Sequence, residues 1–195
     1  MKQRKKAPAN EISPEDSFVQ HFRLLFEESD RGCVILAVAR LDEALEELHR
    51  NHIASVSSSS PKLVDSLFSA YAPLSTFAAR IKIGRAYALI GKEAFDDFER
   101  MRELRNAAAH SSIEVSFNLP ELRAQAIALQ ATKRNVKLIQ VTDLTEEERR
   151  AVDSPDDSRE TAKLYFLMAA MFLEIETIVV RTRLLEKQIQ RLRSC

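Results

Sequence analysis

The sequence has little glycine and no long stretch in which apolar and polar residues alternate. Only three of its 195 residues are glycine, whereas β-sheets need glycine in their turns and a two-residue alternation along their strands. Apolar residues make up 45% of the chain, and they recur at helical spacing instead. The sequence therefore predicts an all-α bundle of about six to eight helices with a long C-terminal helix.

Cysteine is also scarce. Cys33 lies in an apolar run and Cys195 is the final residue of the sequence, so neither has a partner nearby and a disulfide framework is excluded. This usage favours a reducing cytoplasm. The sequence contains no Gly-x-Ser-x-Gly motif and no glycine-rich phosphate loop, and Cys33 is flanked by apolar residues, so a serine or cysteine triad is not predicted either.

The chain has no excess of either charge. It carries 29 basic and 29 acidic residues and has a pI near 6.9. Proteins held on DNA by their phosphate contacts normally carry a concentrated basic excess. The composition therefore disfavours direct binding of DNA or RNA, although it leaves that question open.

The sequence shows no membrane span. Tyr165–Leu173 is an apolar run of nine residues followed closely by Glu174, whereas a bilayer span needs about 20 residues. We predict a buried helix for this run. No apolar stretch follows the basic start of the chain, so it is neither a secretory signal nor an anchor. We predict a disordered basic tail over residues 1–12 and one all-α domain over residues 13–195.

The stretch from Pro73 to Ser112 predicts a helical hairpin. Gly91 is expected to end the first helix by taking the left-handed conformation, and the second helix follows it. The core side of the second helix includes Phe98, Met101 and Leu104. On its other face Arg102, Asn106 and His110 recur four residues apart, so an arginine, an amide and an imidazole can be presented together to a binding partner.

Four segments of this region carry a family resemblance. They are PLSTFAARIKIGRAYALIG, then FDDFERMRELRN, then Ala109-His110 with two serines, and finally SFNLPELR. Over roughly residues 31 to 130 the chain resembles the mannitol operon repressor family of bacterial transcriptional regulators. Because members lack a recognisable helix-turn-helix, the resemblance implies a non-enzymatic helical regulator that works through protein contacts and needs no cofactor.

Residues 105–110 support a different hypothesis. Arg105, Asn106 and His110 match the motif of HEPN-type ribonucleases, in which the histidine would be the general acid or base and the arginine would hold the scissile phosphate. Five residues apart on an ideal helix, the arginine and histidine point about 140° away from each other. They converge only if the helix ends between them or a second subunit contributes. The favoured alternative is structural: Asn106 and His110 complete the helix, where its dipole favours a cation.

Glu46, His49 and His52 resemble part of a metal site. The Glu-x-x-His pattern recurs in di-iron bundles, but that chemistry needs a second such motif on a facing helix. The sequence contains none. We therefore predict a solvated helix end without a metal.

The final helix is predicted to run from about Ser158 to Arg193. Arg183, Lys187 and Arg191 form a basic stripe on it, which is a further candidate for partner binding. Glu186 interrupts the positive charge, and no aromatic side chains lie between these residues to stack on bases. The helix also carries a long apolar seam, which predicts a homodimer formed through this helix. The seam consists of Leu164, Met168, Met171, Ile175, Ile178, Leu185, Ile189 and Leu192.

Overall fold

The computed structural model describes residues 14–112, 114–135, 145–146, 150 and 156–193, without the side chains of residues 14–19, 21, 191 and 192. This part of the chain is helical and contains no strand, so the predicted all-α fold is confirmed. The tail predicted over residues 1–12 lies outside the described residues. The helices are α1 Pro14–Glu27, α2 Asp30–Val56, α3 Pro61–Ser66, α4 Phe77–Ala86, α5 Lys92–His110, α6 Pro120–Ile127, α7 Gln130–Asn135 and α8 Arg159–Arg193.

The two longest described helices, α2 and α8, run parallel to each other. Asp30 at the start of α2 pairs with Arg159 at the start of α8. Further along, Arg40 pairs with Glu174, and the Gln188 side chain donates to the Ala54 carbonyl. The contacts advance along both helices in the same order, which shows that the helices are parallel. We call the pair of α2 and α8 the spine of the bundle.

The first part of α8 is the centre of the core. All ten residues from Thr161 to Ala170 are buried, because α1, α2, α6 and α7 surround this part of the helix. A helix that is apolar on every side must be covered on every side. The predicted burial of Tyr165–Leu173 is confirmed, with Met171 the one partly exposed residue of that run. No helix within the described ranges is both long and apolar enough to cross a membrane.

The spacing of apolar residues explains how α2 and α5 pack. On α2 the buried apolar residues include a series at alternating intervals of four and three: Val34, Val38, Leu41, Leu45 and Leu48. On α5 Phe98, Met101 and Leu104 are buried, as the sequence predicts. Phe98 meets Phe77 of α4 edge to face, with ring centroids 6.2 Å apart. The hairpin of α4 and α5 is thereby fixed against α2.

The end of α4 differs from the prediction. Helix α4 stops at Ala86, and the left-handed residue is Ala88, with φ 55°, rather than Gly91. Gly91 has φ −70° and precedes α5 as its N-cap. The turn needs its left-handed residue directly after the helix, where the Leu89 N–H donates to the Gly84 carbonyl at 2.8 Å. This turn directs Leu89 and the next residue into the core.

A buried carboxylate joins three segments at one end of the spine. Asp30, which is 5% exposed, accepts hydrogen bonds from Arg159 at 2.6 Å, from the Phe117 N–H at 2.9 Å and from the Ser116 hydroxyl at 3.0 Å. Burial alone would raise the pKa of Asp30, but these hydrogen bonds outweigh it and lower the pKa. The Nζ of Lys163 lies 3.6 Å from the same carboxylate. This cluster fixes where α2 and α8 begin relative to each other.

Candidate partner-binding surface

The predicted polar face of α5 is present, but its side chains differ in exposure. Arg102 is half-buried, and its Nη2 lies 2.7 Å from the Glu99 carboxylate. Asn106 is also half-buried, whereas His110 is exposed as the last residue of the helix. Helix α5 does not end between Arg105 and His110, so within one chain the two side chains diverge by about 140°.

The carboxyl end of α5 is held by a residue from another helix. The Ser111 N–H donates to the Ala107 carbonyl at 3.0 Å, and Nη2 of Arg31 on α2 donates to the Ser111 carbonyl at 3.0 Å. A cation at a helix carboxyl end complements the helix dipole. In the structure the cation that binds this carbonyl is Arg31. The sequence did not predict this role for Arg31.

The basic stripe of α8 lies far from His110. Arg183 and Lys187 are exposed, and neither takes part in an ion pair among the residues that the structure describes. Arg191 belongs to α8, but its side chain lies outside the description. This part of α8 is next to the end of α2, whereas His110 is next to its beginning, roughly 25 to 30 Å away along the helix. The α5 and α8 candidates therefore do not form one surface.

The apolar seam predicted for α8 is divided into two parts. Leu164 and Met168 are buried inside the chain, at 2% and 1% exposure, and Met171 is partly buried. The side chain of Leu192 lies outside the description. The rest of the helix presents an exposed apolar face, which we call the α8 strip. It consists of Ile175, Ile178, Val179, Leu185 and Ile189, which are 38 to 50% exposed.

Two ion pairs cross between α2 and α8 beside this strip. Arg40 donates to Glu174 at 2.6 and 3.2 Å, and Arg181 pairs with Glu47. They flank an open groove of about 220 Å³, which Ile178 also lines. Arg40 and Glu47 are seven residues apart on α2. Their seven-residue spacing, repeated by Glu174 and Arg181, was the signal that two helices could pair here.

The residues considered for a metal site are used within the fold. The Glu46 carboxylate accepts from Arg80 at 2.6 Å and from Arg50 at 2.9 Å. The predicted solvated end is wrong for His49, which is buried because it lies beneath α4: its Nε2 donates to the Arg80 carbonyl at 2.8 Å. Burial lowers the pKa of His49. No group of three or more possible metal ligands occurs in the described portion of the chain.

Other titratable groups in the core are also structural. Burial raises the pKa of the Cys33 thiol to about 12, so it stays protonated and is a poor nucleophile. The buried Asp97 carboxylate accepts the backbone N–H groups of Gln130 and Ala131 at 2.9 and 2.7 Å, and it thereby caps α7. Burial raises the pKa of Asp97. Neither group faces an open cleft that could bind a substrate.

The fold can be compared with those of known proteins. No model of a known protein family matches the sequence, and no curated protein sequence matches it either. Among solved structures, the fold is similar to a chain of the X-ray structure of the MtlR-HPr complex from Escherichia coli, with a TM-score of 0.59 and 17% identity. The match covers 83% of this chain and 98% of that chain.

The likeness defines the fold of this protein. At 17% identity over nearly the whole matched chain, it shows an MtlR-like helical bundle. The resemblance to the mannitol operon repressor family, which the sequence indicated, is thus confirmed for the fold. The matched protein was solved as a complex with HPr, which is a property of that protein.

Proposed function

We propose that this protein is a non-enzymatic regulator that acts by binding another protein, as the mannitol operon repressor family does. The observation that carries the proposal is the fold shared with 98% of a chain solved in complex with HPr. The proposed partner is HPr from the organism that encodes this chain. Control of transcription through this contact, in the cytoplasm, is the corresponding biological role.

The geometry of α5 favours a role without catalysis. Glu99 neutralises Arg102, and the unbroken helix separates Arg105 from His110. General acid-base catalysis needs the acting groups within hydrogen-bond reach of one substrate position. We therefore propose that the α5 face is a structural element or a partner contact. An RNA cleavage assay without metal tests this directly: the purified chain should leave RNA intact, and cleavage that His110→Ala abolishes would contradict the proposal.

A homodimer is part of the proposal, because the α8 strip is an exposed apolar helix face. Its residues lie on one side of α8 over roughly 20 Å, a length suited to pairing with a second helix. Arg183 and Glu186 on the same part of α8 carry opposite charges, so two copies need not repel each other. The proposed dimer contact is shorter than the predicted seam because Leu164 and Met168 are covered within the chain.

Binding to HPr is the experiment that tests the proposed function. Titration calorimetry of the purified full chain with HPr should give a saturable isotherm. An unrelated acidic protein of similar size serves as the control for non-specific association. Absence of saturable binding to HPr would contradict the proposed partner. A reporter under the control of the neighbouring operon then shows whether deletion of the gene changes transcription.

A further inference from the structure

One exposed loop carries an unusual tyrosine. Tyr71 lies between α3 and α4, is fully exposed at 103% and has φ 65°. Tyr71 and Ala88 are the non-glycine residues with positive φ among those that the structure describes. A bulky side chain in the left-handed region is strained, and such strain persists only where the surroundings impose it. No packing of the exposed ring against the residues that the structure describes offsets this strain.

The surroundings do impose this conformation. Leu74 is buried, its N–H donates to the Leu67 carbonyl at 2.9 Å, and its own carbonyl accepts from Arg80 Nε at 2.9 Å. On the other side of the tyrosine, Phe68 lies under the Arg50 guanidinium, 4.1 Å from the ring centroid to Cζ. The loop is therefore anchored on both sides of Tyr71, which fixes the backbone position from which the ring extends into solvent.

The segment of the chain that carries this ring contains no charged residue. Ser66 to Ala79 is a run of 14 residues without a charged side chain, in a chain in which 30% of the residues are charged. The centres of protein interfaces are depleted in charge and enriched in aromatic residues. The exposed members of the run are Ser66, Ser69, Ala70, Tyr71, Pro73 and Thr76.

We propose that Tyr71 is the central contact residue of the surface that binds the protein partner; this inference rests on the proposed function. Tyrosine is enriched among the residues that dominate binding energy. A residue whose backbone is already held in position loses less conformational freedom on binding. The partner surface that fits it is an apolar pocket with a hydrogen-bond acceptor for the phenol hydroxyl. The occupant is HPr.

Titration calorimetry with HPr tests this with two substitutions. Tyr71→Gly removes the ring, and glycine takes the left-handed conformation without strain. Tyr71→Asn also removes the ring, and asparagine tolerates this conformation while keeping the loop more rigid than glycine does. Leu24→Ala is the matched control, because Leu24 is also an exposed apolar residue, at 62%, and lies on α1, a helix that packs against α2 and α8. Thermal melts of all three variants verify folding.

Both Tyr71 variants should bind HPr at least about tenfold more weakly than the wild type, with melting temperatures no lower than that of the wild type. Leu24→Ala should bind like the wild type. Tyr71→Gly and Tyr71→Asn binding within about twofold of the wild type would overturn this inference alone. If Tyr71→Gly lost binding to HPr and Tyr71→Asn kept it, the inference would also be overturned, because the ring would then not be needed for binding. Absence of wild-type binding would overturn the proposed function and this inference with it.

Discussion

Replacing Asp30 by asparagine is expected to destabilise the bundle by about 3 kcal/mol. Asp30 is buried and pairs with Arg159 at 2.6 Å, with the Lys163 Nζ at 3.6 Å. Removing one member of a buried ion pair costs about 3 to 5 kcal/mol, because the remaining charge keeps its desolvation cost. Asparagine can still accept the Phe117 N–H, which is why the lower end of this range is expected.

The assay is thermal and urea denaturation followed by circular dichroism. For a chain of this size, about 3 kcal/mol corresponds to a decrease of about 6 to 12 °C in the melting temperature. Asp157→Asn is the matched control, since Asp157 pairs with Arg123 but its side chain is 78% exposed. An exposed pair contributes about 0 to 1 kcal/mol. If Asp30→Asn were no more destabilising than the control, the cluster would not hold α2 and α8 together.

The pH dependence of stability gives an independent check on Asp30. Its pKa is lowered in the folded state, since the hydrogen bonds from Arg159, Phe117 and Ser116 outweigh the effect of burial. The stabilisation is therefore present above the unfolded pKa of about 3.9 and is lost as the pH falls through the lower folded pKa. Below about pH 4 the wild type should lose stability more steeply than Asp30→Asn. Parallel curves would contradict the assigned ion pair.

Three further predictions concern other parts of the molecule. Ala88→Gly should stabilise the fold by up to about 1 kcal/mol, since φ 55° strains alanine, whereas Ala44→Gly in the middle of α2 should destabilise it by a similar amount; denaturant melts that show no difference between them would refute the assigned turn. Burial lowers the pKa of His49, so the free energy of unfolding should fall as the pH drops below about 6.5. In melts recorded between pH 7 and 5, His49→Gln should depend less on pH than the wild type; an unchanged pH dependence would assign the effect to another group. Light scattering should give the mass of a dimer for the wild type and of a monomer for the double variant Ile178→Asp with Ile189→Asp, whose substituted side chains are 38% and 50% exposed in the single chain. A cooperative thermal melt verifies that the variant folds, and loss of the dimer contact lowers its melting temperature; a monomeric wild type would contradict the α8 contact.

The helices were predictable because their signal is periodic. The long C-terminal helix, expected from about Ser158, begins at Arg159 and is described as far as Arg193. The core side of α5 followed from the same spacing. Periodicity reports which face of a helix is buried, but it does not report which helix covers that face. The ion pairs of Arg40 and Glu47 with α8 therefore became visible only in the structure.

The candidate site was less predictable, for two physical reasons. His110 and Arg183 lie at opposite ends of α2 because of the directions in which α5 and α8 run relative to α2. The apolar pattern of one helix does not indicate its direction relative to another helix. The left-handed conformations of Ala88 and Tyr71 are imposed by tertiary contacts against local preference. Such positions favour glycine, and for this reason the sequence predicted the left-handed conformation at Gly91 instead of Ala88.

Amide hydrogen exchange of the full chain, with and without saturating HPr, tests the central claim most directly. We expect slower exchange in the segment from Ser66 to Thr76 when HPr is present, and unchanged exchange at the carboxyl end of α5 around His110. Slower exchange in this segment would show that the protein acts through a protein contact centred on Tyr71. Identical exchange throughout the chain with and without HPr would contradict the claim.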